Sequence, residues 1–280
     1  MRRHHDGQHC QKRFMSYHPL AHVHPDAKIG NNVVIEPFAT VKGDVVIGDN
    51  SWIGPNTIVW EGSRLGKNVK VYPGASISSV PQDLKFAGEK TETFIGDNTV
   101  IREYVTISRG TNDKFKTVIG NNCLLMAYVH VAHDCIIGNN CILVNAVQVA
   151  GHVEIEDWAI IGGSSAVHQF VKVGAHVMVS GGSLVRKDVP PYTKAAREPL
   201  TYAGINSVGL RRRGFDTDKI TEIQEIYRYI FLKGLNNAKA LDLVEQELPV
   251  SDERDYIIKF IRASERGIMK GISNAVGSFE

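Results

Sequence analysis

The sequence predicts an all-β, left-handed parallel β-helix followed by a small α-helical C-terminal domain, and three observations predict it. An aliphatic or aromatic residue recurs at every sixth position over most of the chain before residue 190. Gly, Asp and Asn tend to follow that position, as in "IGDNSW" (47–52), "IGPNTI" (53–58), "IGNNCL" (119–124) and "IGNNCI" (137–142). After "VPPYT" (189–193) the six-residue beat stops and helical periodicity takes over.

The beat runs from Tyr17, Val23 and Ile29 to Ile77, returns at Ile95, Ile101 and Ile107, and continues unbroken from Ile119 to Val185. No helix has a period of six, and a simple strand alternates every two residues. Six residues with turn formers inside each unit describe short strands joined by tight corners and stacked in parallel. Three units close one triangular coil of 18 residues, and coils paired by backbone hydrogen bonds lie roughly 4.8 Å apart. The beat residue and a small or β-branched residue four places later, such as Ala21, Ala39, Ser51 or Thr57, point inward and fill the prism. Cys123, Cys135 and Cys141 all occupy that small inward slot, where cysteine behaves as a compact apolar residue rather than a metal ligand. Two stretches lack the beat, "VPQDLKFAGEKTET" (80–93) and "TNDKFK" (111–116), and the register resumes after each in multiples of six. Loops that leave a rigid scaffold are where function concentrates.

Outside the prism, residues 1–16 read as a disordered leader or tag, with Met15 a plausible initiator, and residues 17–190 as the β-helix. Residues 191–280 read as the helical domain. In "DTDKITEIQEIYRYIFLKG", Ile220, Ile223, Ile226, Tyr227, Ile230 and Phe231 share one helical face, with Asp216 or Thr217 as cap. Two further helices follow, the last with Ser251 and Gly267 as start and stop. A hydrophobic content of 43% with 22% charge is that of an ordinary globular protein. A formal net charge of +2 gives no reason to expect a nucleic-acid partner. No apolar run approaches the ~20 residues of a membrane span, and the N-terminus has no apolar signal core. With four cysteines and no disulfide pattern, the expectation is a cytoplasmic protein.

Positions 18 apart lie above one another on such a prism. His133 then stacks under Gly151 and Gln169, with His152 and His168 one place to either side and His130 three before. Three histidines therefore share one corner at outward positions, although they are remote in sequence. Two uses of such a cluster are open: a transition-metal site, or a general base among polar neighbours. Glycine and glutamine above His133, and Asp134 beside it, suit a base with its orienting carboxylate better than a ligand set. No metal is expected.

"QDLKFAGE" (82–89), "RGT" (109–111), "HVAHDCIIGNNCIL" (130–143), "AGHVEIEDWAIIGG" (150–163), "AVHQFVKVGAHVMV" (166–179), "DVPPY" (188–192) and "GLRRRGF" (209–215) occur in one order. Together they closely resemble the acyl-[acyl carrier protein]–UDP-N-acetylglucosamine O-acyltransferases, from about residue 17 to the end. The related N-acyltransferases carry an extra N-terminal uridine-binding domain, for which there is no room before Tyr17. The resemblance implies transfer of a 3-hydroxyacyl chain from the phosphopantetheine thioester of acyl carrier protein to the glucosamine 3-hydroxyl of UDP-N-acetylglucosamine. That is the first step of lipid A synthesis, and it needs no cofactor beyond these substrates. A homotrimer with active sites between prisms is also implied.

A sugar hydroxyl is a poor nucleophile, so His133 is expected as base, Asp134 as its orienter and the Gly151 backbone N–H as oxyanion donor. No serine or cysteine nucleophile is expected at this corner, which favours direct transfer. The resemblance further implies that Asp83 and Lys85 reach the substrate from across an interface, and that His130, His152, His168 and Gln169 line the cleft. It sends Asn206, Arg212 and Arg213 to the diphosphate or the carrier, whose acidity a basic cluster would steer. Gly181 matches the position that limits acyl length. Ser108 and Val208 depart from the family pattern, where His and Glu are frequent, and leave the nucleotide contacts in doubt. The competing readings are a CoA-dependent acetyltransferase on the same scaffold and a non-enzymatic or zinc-binding trimeric assembly. Neither explains the long loop with Asp83 and Lys85 or the arginine cluster.

Overall fold

A computed structural model of the chain describes residues 16–271. Residues 1–15 of the expected leader, with Cys10 and Met15, and the last nine residues lie outside the described residues, whereas Ser16, expected in the leader, opens the first strand and pairs with Val34. Two-residue strands, lengthened at a few coils, fall in rotation into three sheets of eleven, nine and eight strands that close a left-handed, three-sided parallel β-helix. The register follows the sequence clock. Val34 pairs with Trp52 and Trp52 with Lys70, each 18 residues on. Across the first loop Lys70 pairs with Val100, and across the second Val100 pairs with Leu124. Each loop has therefore inserted a multiple of six residues, which is the only kind of insertion that leaves every inward residue inward.

Ile35, Ile53, Ile77, Ile101, Ile119, Leu125, Ile137 and Leu143 form a solvent-free column of beat residues. The slot four places on is equally buried. Its hydroxyls donate to a carbonyl of the neighbouring coil, as Thr57 does to Tyr72 and Thr99 to Gly120. The cysteines do the same: Cys123 Sγ lies 3.1 Å from the Gly138 carbonyl and Cys135 Sγ 3.1 Å from that of Ala150. Burial pushes the Cys135 thiol up to about 12, so Cys135 is a packing group with a weak donor, not a nucleophile. Val129 also fills this slot and is fully buried, whereas its neighbour Tyr128 is 61% exposed.

At the corners, non-glycine residues adopt the left-handed backbone conformation in three columns. One column rises through Asn122 and Asn140 to Trp158, His176 and Tyr192; a second through Tyr104, Tyr128, Ala146 and Ser164; a third through Asp134, His152 and Phe170. Asparagine tolerates this conformation best, and the side-chain amides of Asn68, Asn98 and Asn122 add a hydrogen-bonded ladder along the first corner.

The segment expected to be helical from residue 191 begins instead with two strands. Thr193–Ala196 continues the largest sheet in parallel, and Thr201–Ile205 turns back on it antiparallel. Pro190 and Pro191 end the repeats but leave the sheet edge open, and these strands cover it. Four helices follow: α1 (Ser207–Arg212), α2 (Thr217–Leu232), α3 (Asn237–Glu247) and α4 (Asp252–Arg262). Asp216 caps α2 and Ser251 caps α4, each accepting an N–H from the third residue on. Ile220, Ile223, Ile226, Tyr227 and Ile230 are buried on one face of α2, and the Tyr227 hydroxyl donates to the Pro191 carbonyl at 2.6 Å. Helix α4 stops at Arg262, short of Gly267, because the chain returns to the prism: Asp188 bridges Ile268, and Thr201 bridges Lys270.

Candidate active site

The third corner carries the histidines, and the arithmetic of 18 is realised there. The His152 N–H donates to the His133 carbonyl, so His152 sits above Asp134 and Gly151 above His133. A Cβ on Gly151 would lie 2.7 Å from His133 Cε1 and 2.8 Å from Nε2. Glycine is required at 151 because Cε1 and Nε2 of the imidazole occupy the space a side chain would need. Among the described residues no acceptor takes the Gly151 N–H, so it is available to a ligand.

His133 is outward by register yet only 5% exposed. One inserted loop reaches it and the other grips its partner Asp134. From 80–93 comes Asp83, whose carboxylate oxygen lies 3.8 Å from His133 Nε2. Asp83 thus faces the base from within the same chain: its loop leaves the same corner two coils below, after the strand of Ile77, which pairs with that of Ile107 and through it with that of Val131. Lys85 is exposed on that loop, and its backbone N–H donates to Asp83 Oδ1 at 3.0 Å. From 111–116 comes a pocket for Asp134. The carboxylate accepts the Thr111 N–H at 3.0 Å and the Thr111 hydroxyl at 2.6 Å. It also accepts the Lys114 N–H at 3.1 Å. Its remaining contact is His133 Nδ1 at 2.8 Å.

Burial by itself would raise the pKa of Asp134, but the hydrogen bonds from Thr111, His133 and Lys114 outweigh it and hold the carboxyl below its ordinary value. An ionised carboxylate only accepts, so in neutral imidazole the proton sits on Nδ1 and the lone pair on Nε2. That lone pair faces Asp83 and the cavity.

The cavity has a volume of about 470 Å³, within the usual range for a small-molecule site. His130, His168, Gln169 and Gly151 line it with His133, so the structure brings these expected residues together. His130 is hydrogen-bonded to the Thr106 hydroxyl at 2.8 Å, and its pKa is lowered by burial and then by neighbouring His133. His168 and Gln169 are exposed at the rim. His152 stacks on Phe170 with ring centroids 4.5 Å apart, and its Nδ1 is 2.9 Å from an oxygen of Asp113.

Ser108 also lines the cavity and is almost fully buried, which corrects the expectation that no serine sits at this corner. Its place could be read from the sequence once the six-residue insertion is added to the period: Ser108 lies in register below Ala132, next to His133. No hydrogen bond joins it to His133. Arg186 and Gln82 line the cavity without having been singled out in the sequence.

The other expected residues lie on different corners. Asn206 caps α1, accepting the Gly209 N–H and donating to the His176 carbonyl at 2.9 Å. Arg213 lies over the Trp158 ring at 5.3 Å, and Arg212 is exposed in the last turn of α1. Burial, then Arg213, lower the His176 pKa to about 4. These groups belong to the Trp158–His176–Tyr192 column. Gly181 and Gly182 belong to the Tyr104–Tyr128 column. Val208 is exposed on α1.

One atom each from His133, Asp134 and His152 falls within a 4.8 Å cluster that could gather a metal ion. Binding there would have to break the His133–Asp134 bond and compete with the three donors from Thr111 and Lys114.

A family model described as UDP N-acetylglucosamine O-acyltransferase, domain 2, matches residues 188–269. The bacterial transferase hexapeptide model, six repeats, matches 44–79 and 116–147. A relative from Chlorobaculum parvum, an acyl-[acyl-carrier-protein]–UDP-N-acetylglucosamine O-acyltransferase, is 56% identical over 253 residues, covering 90% of this chain and 96% of its own. The chain belongs to this acyltransferase family. A family member from Aquifex aeolicus is 60% identical over 198 residues, 70% of this chain and 76% of its own. The crystal structure of LpxA, a UDP-N-acetylglucosamine acyltransferase from Bacteroides fragilis, superposes with a TM-score of 0.89 at 52% identity, covering 90% of this chain and 99% of that one. Among the described residues no helix is long and apolar enough to cross a membrane.

Proposed function

We propose that this chain transfers a 3-hydroxyacyl group from acyl carrier protein to the glucosamine 3-hydroxyl of UDP-N-acetylglucosamine, the opening step of lipid A synthesis, with His133 as general base. The observation that carries the mechanism is the buried His133–Asp134 pair at 2.8 Å, with Nε2 turned to the cavity and 3.8 Å from an oxygen of Asp83. The hydroxyl gives its proton to Nε2 as its oxygen attacks the thioester carbonyl, and the new C–O bond forms. The oxyanion is held by the Gly151 N–H. Collapse breaks the C–S bond, and the imidazolium returns the proton to the leaving pantetheine sulfur. Asp83, beside Nε2, favours the imidazolium that appears in between. No separate cofactor is required.

Direct transfer is favoured over an acyl-enzyme because His133 makes its polar contacts with Asp134 and Asp83, not with Ser108. The test is an assay of purified protein with UDP-N-acetylglucosamine and a panel of 3-hydroxyacyl carrier proteins, run beside Ser108→Ala. Turnover in both, without a covalent acyl adduct in intact mass spectra, is the expected result. Loss of turnover in Ser108→Ala together with an acyl adduct on the wild-type protein would replace direct transfer by a serine intermediate.

The separation of Asn206, Arg212 and Arg213 from His133 supports a homotrimer, in which a neighbouring prism brings its first corner to this one's third. Stacked Tyr104 and Tyr128, 5.4 Å apart and more than half exposed, need cover of the same kind. Sedimentation as a clean monomer at micromolar concentration would rule out the shared site. Gly181 is the proposed ruler: each buried CH₂ contributes about 0.8 kcal/mol, and Gly181→Met should shift preference to shorter chains without changing nucleotide affinity. An unchanged chain preference would move the ruler elsewhere.

A further inference from the structure

The insertion 111–116 joins the prism only at Lys116, which pairs with Glu92, yet it is closed as tightly as a coil. The Phe115 N–H donates to the Thr111 carbonyl at 2.9 Å, and the Glu92 N–H to that of Phe115 at 3.0 Å. At its neck a Cβ on Gly110 would fall 2.2 Å from the Lys116 nitrogen, so only glycine lets the two ends of the loop pass. What this loop encloses is one carboxylate. Thr111 gives Asp134 both its N–H and its hydroxyl, and Lys114 gives a second N–H. Asp134 Oδ2 receives the Thr111 hydroxyl at 2.6 Å and His133 Nδ1 at 2.8 Å. Thr111 itself is 5% exposed and does not line the cavity. It can influence a bound substrate only through what it holds, which is Asp134 and, at 3.4 Å, the Asp113 N–H.

We propose that Thr111 is a positioning residue for the reaction: its hydroxyl fixes the rotation of the Asp134 carboxylate, and the carboxylate fixes the proton and the plane of the His133 ring. The inference rests on the general-base reading above. The N–H donors hold Oδ1 at 3.0 and 3.1 Å, whereas the Thr111 N–H reaches Oδ2 only at 3.2 Å, which leaves that oxygen more room to swing. The hydroxyl stops that swing at the oxygen His133 uses. Asp113, from the same loop, brings a carboxylate oxygen to 2.9 Å from His152 Nδ1, without the hydrogen-bond geometry of the His133–Asp134 pair, and the two imidazole centroids are 5.0 Å apart.

Thr111→Val keeps the branched shape and the backbone N–H and removes the hydroxyl, which donates to Asp134 at 2.6 Å and accepts the Asp113 N–H at 3.4 Å; Thr111→Ser keeps it. In the valine variant kcat should fall about tenfold or more, the scale of a lost hydrogen bond to a charged group, with KM for UDP-N-acetylglucosamine within about twofold of wild type. The serine variant should recover most of kcat. If the valine variant does not fold, Thr111→Ala carries the same comparison. A kcat for the hydroxyl-free variant within about twofold of wild type would overturn the inference. So would a loss confined to KM, or a serine variant as slow as valine. His133→Ala assayed alongside separates the two failures: near-normal turnover there sinks the base reading, whereas a slow His133→Ala with a normal Thr111→Val sinks only this inference.

Discussion

Replacing His133 by alanine is expected to cut turnover by roughly 10²–10⁴ while assembly and UDP-N-acetylglucosamine binding persist. The size follows from the chemistry: without a base the sugar hydroxyl must attack the thioester with its proton in place. The acidic limb of the wild-type pH–rate profile, where the base is protonated, should disappear in the variant. Binding should survive because the cavity wall is built by other residues, among them Gln82, Gln148, Gly151 and Gln169. The same experiment decides the metal alternative. A chelator, or added zinc, should leave wild-type turnover unchanged. Reversible loss on chelation would make His133, Asp134 and His152 ligands, since their donor atoms already cluster within 4.8 Å.

Gly151→Ala should cost about 10² in kcat, although it adds one methyl group to the exterior of the prism. That carbon would sit 2.7–2.8 Å from two atoms of the His133 ring, closer than side-chain carbons approach. The ring cannot retreat freely, because Nδ1 is tied to a carboxylate that is itself held by Thr111 and Lys114. Displacing a reacting group by about 1 Å can lose 10²-fold. Since the inward residues are untouched, the melting temperature should change little. A variant with wild-type kcat would mean that the imidazole need not lie over residue 151 in the working enzyme.

The two variants also mark how far the sequence could be read. His133, Gly151 and Gln169 could be stacked by counting because a repeat of 18 makes spatial neighbours calculable. Ser108 was within reach of the same count once the second insertion was added, and without that addition it stayed apart from the corner it occupies. Asp83 could be assigned to the substrate through the family resemblance, but its side of the interface could not be read. The path of a loop outside the repeat has no register to follow, and the structure folds it back onto its own corner. The grip of Thr111 and Lys114 on Asp134 escaped the sequence for that same reason. So did the strands at 193–205, where proline ended the repeat without ending the sheet.

Sequence alone determined the prism, its coil length, the inward cysteines and the corner that holds the histidines. Each of these depends on periodic burial, and a period is a property of the chain itself. Only the tertiary structure decided that His133 is buried rather than merely outward, that Asp134 is pinned by donors that hold its carboxyl below its ordinary pKa, and that Nε2 faces Asp83. Those facts come from two insertions packing against a corner. Their contacts are set by where aperiodic backbone comes to rest, which no spacing encodes.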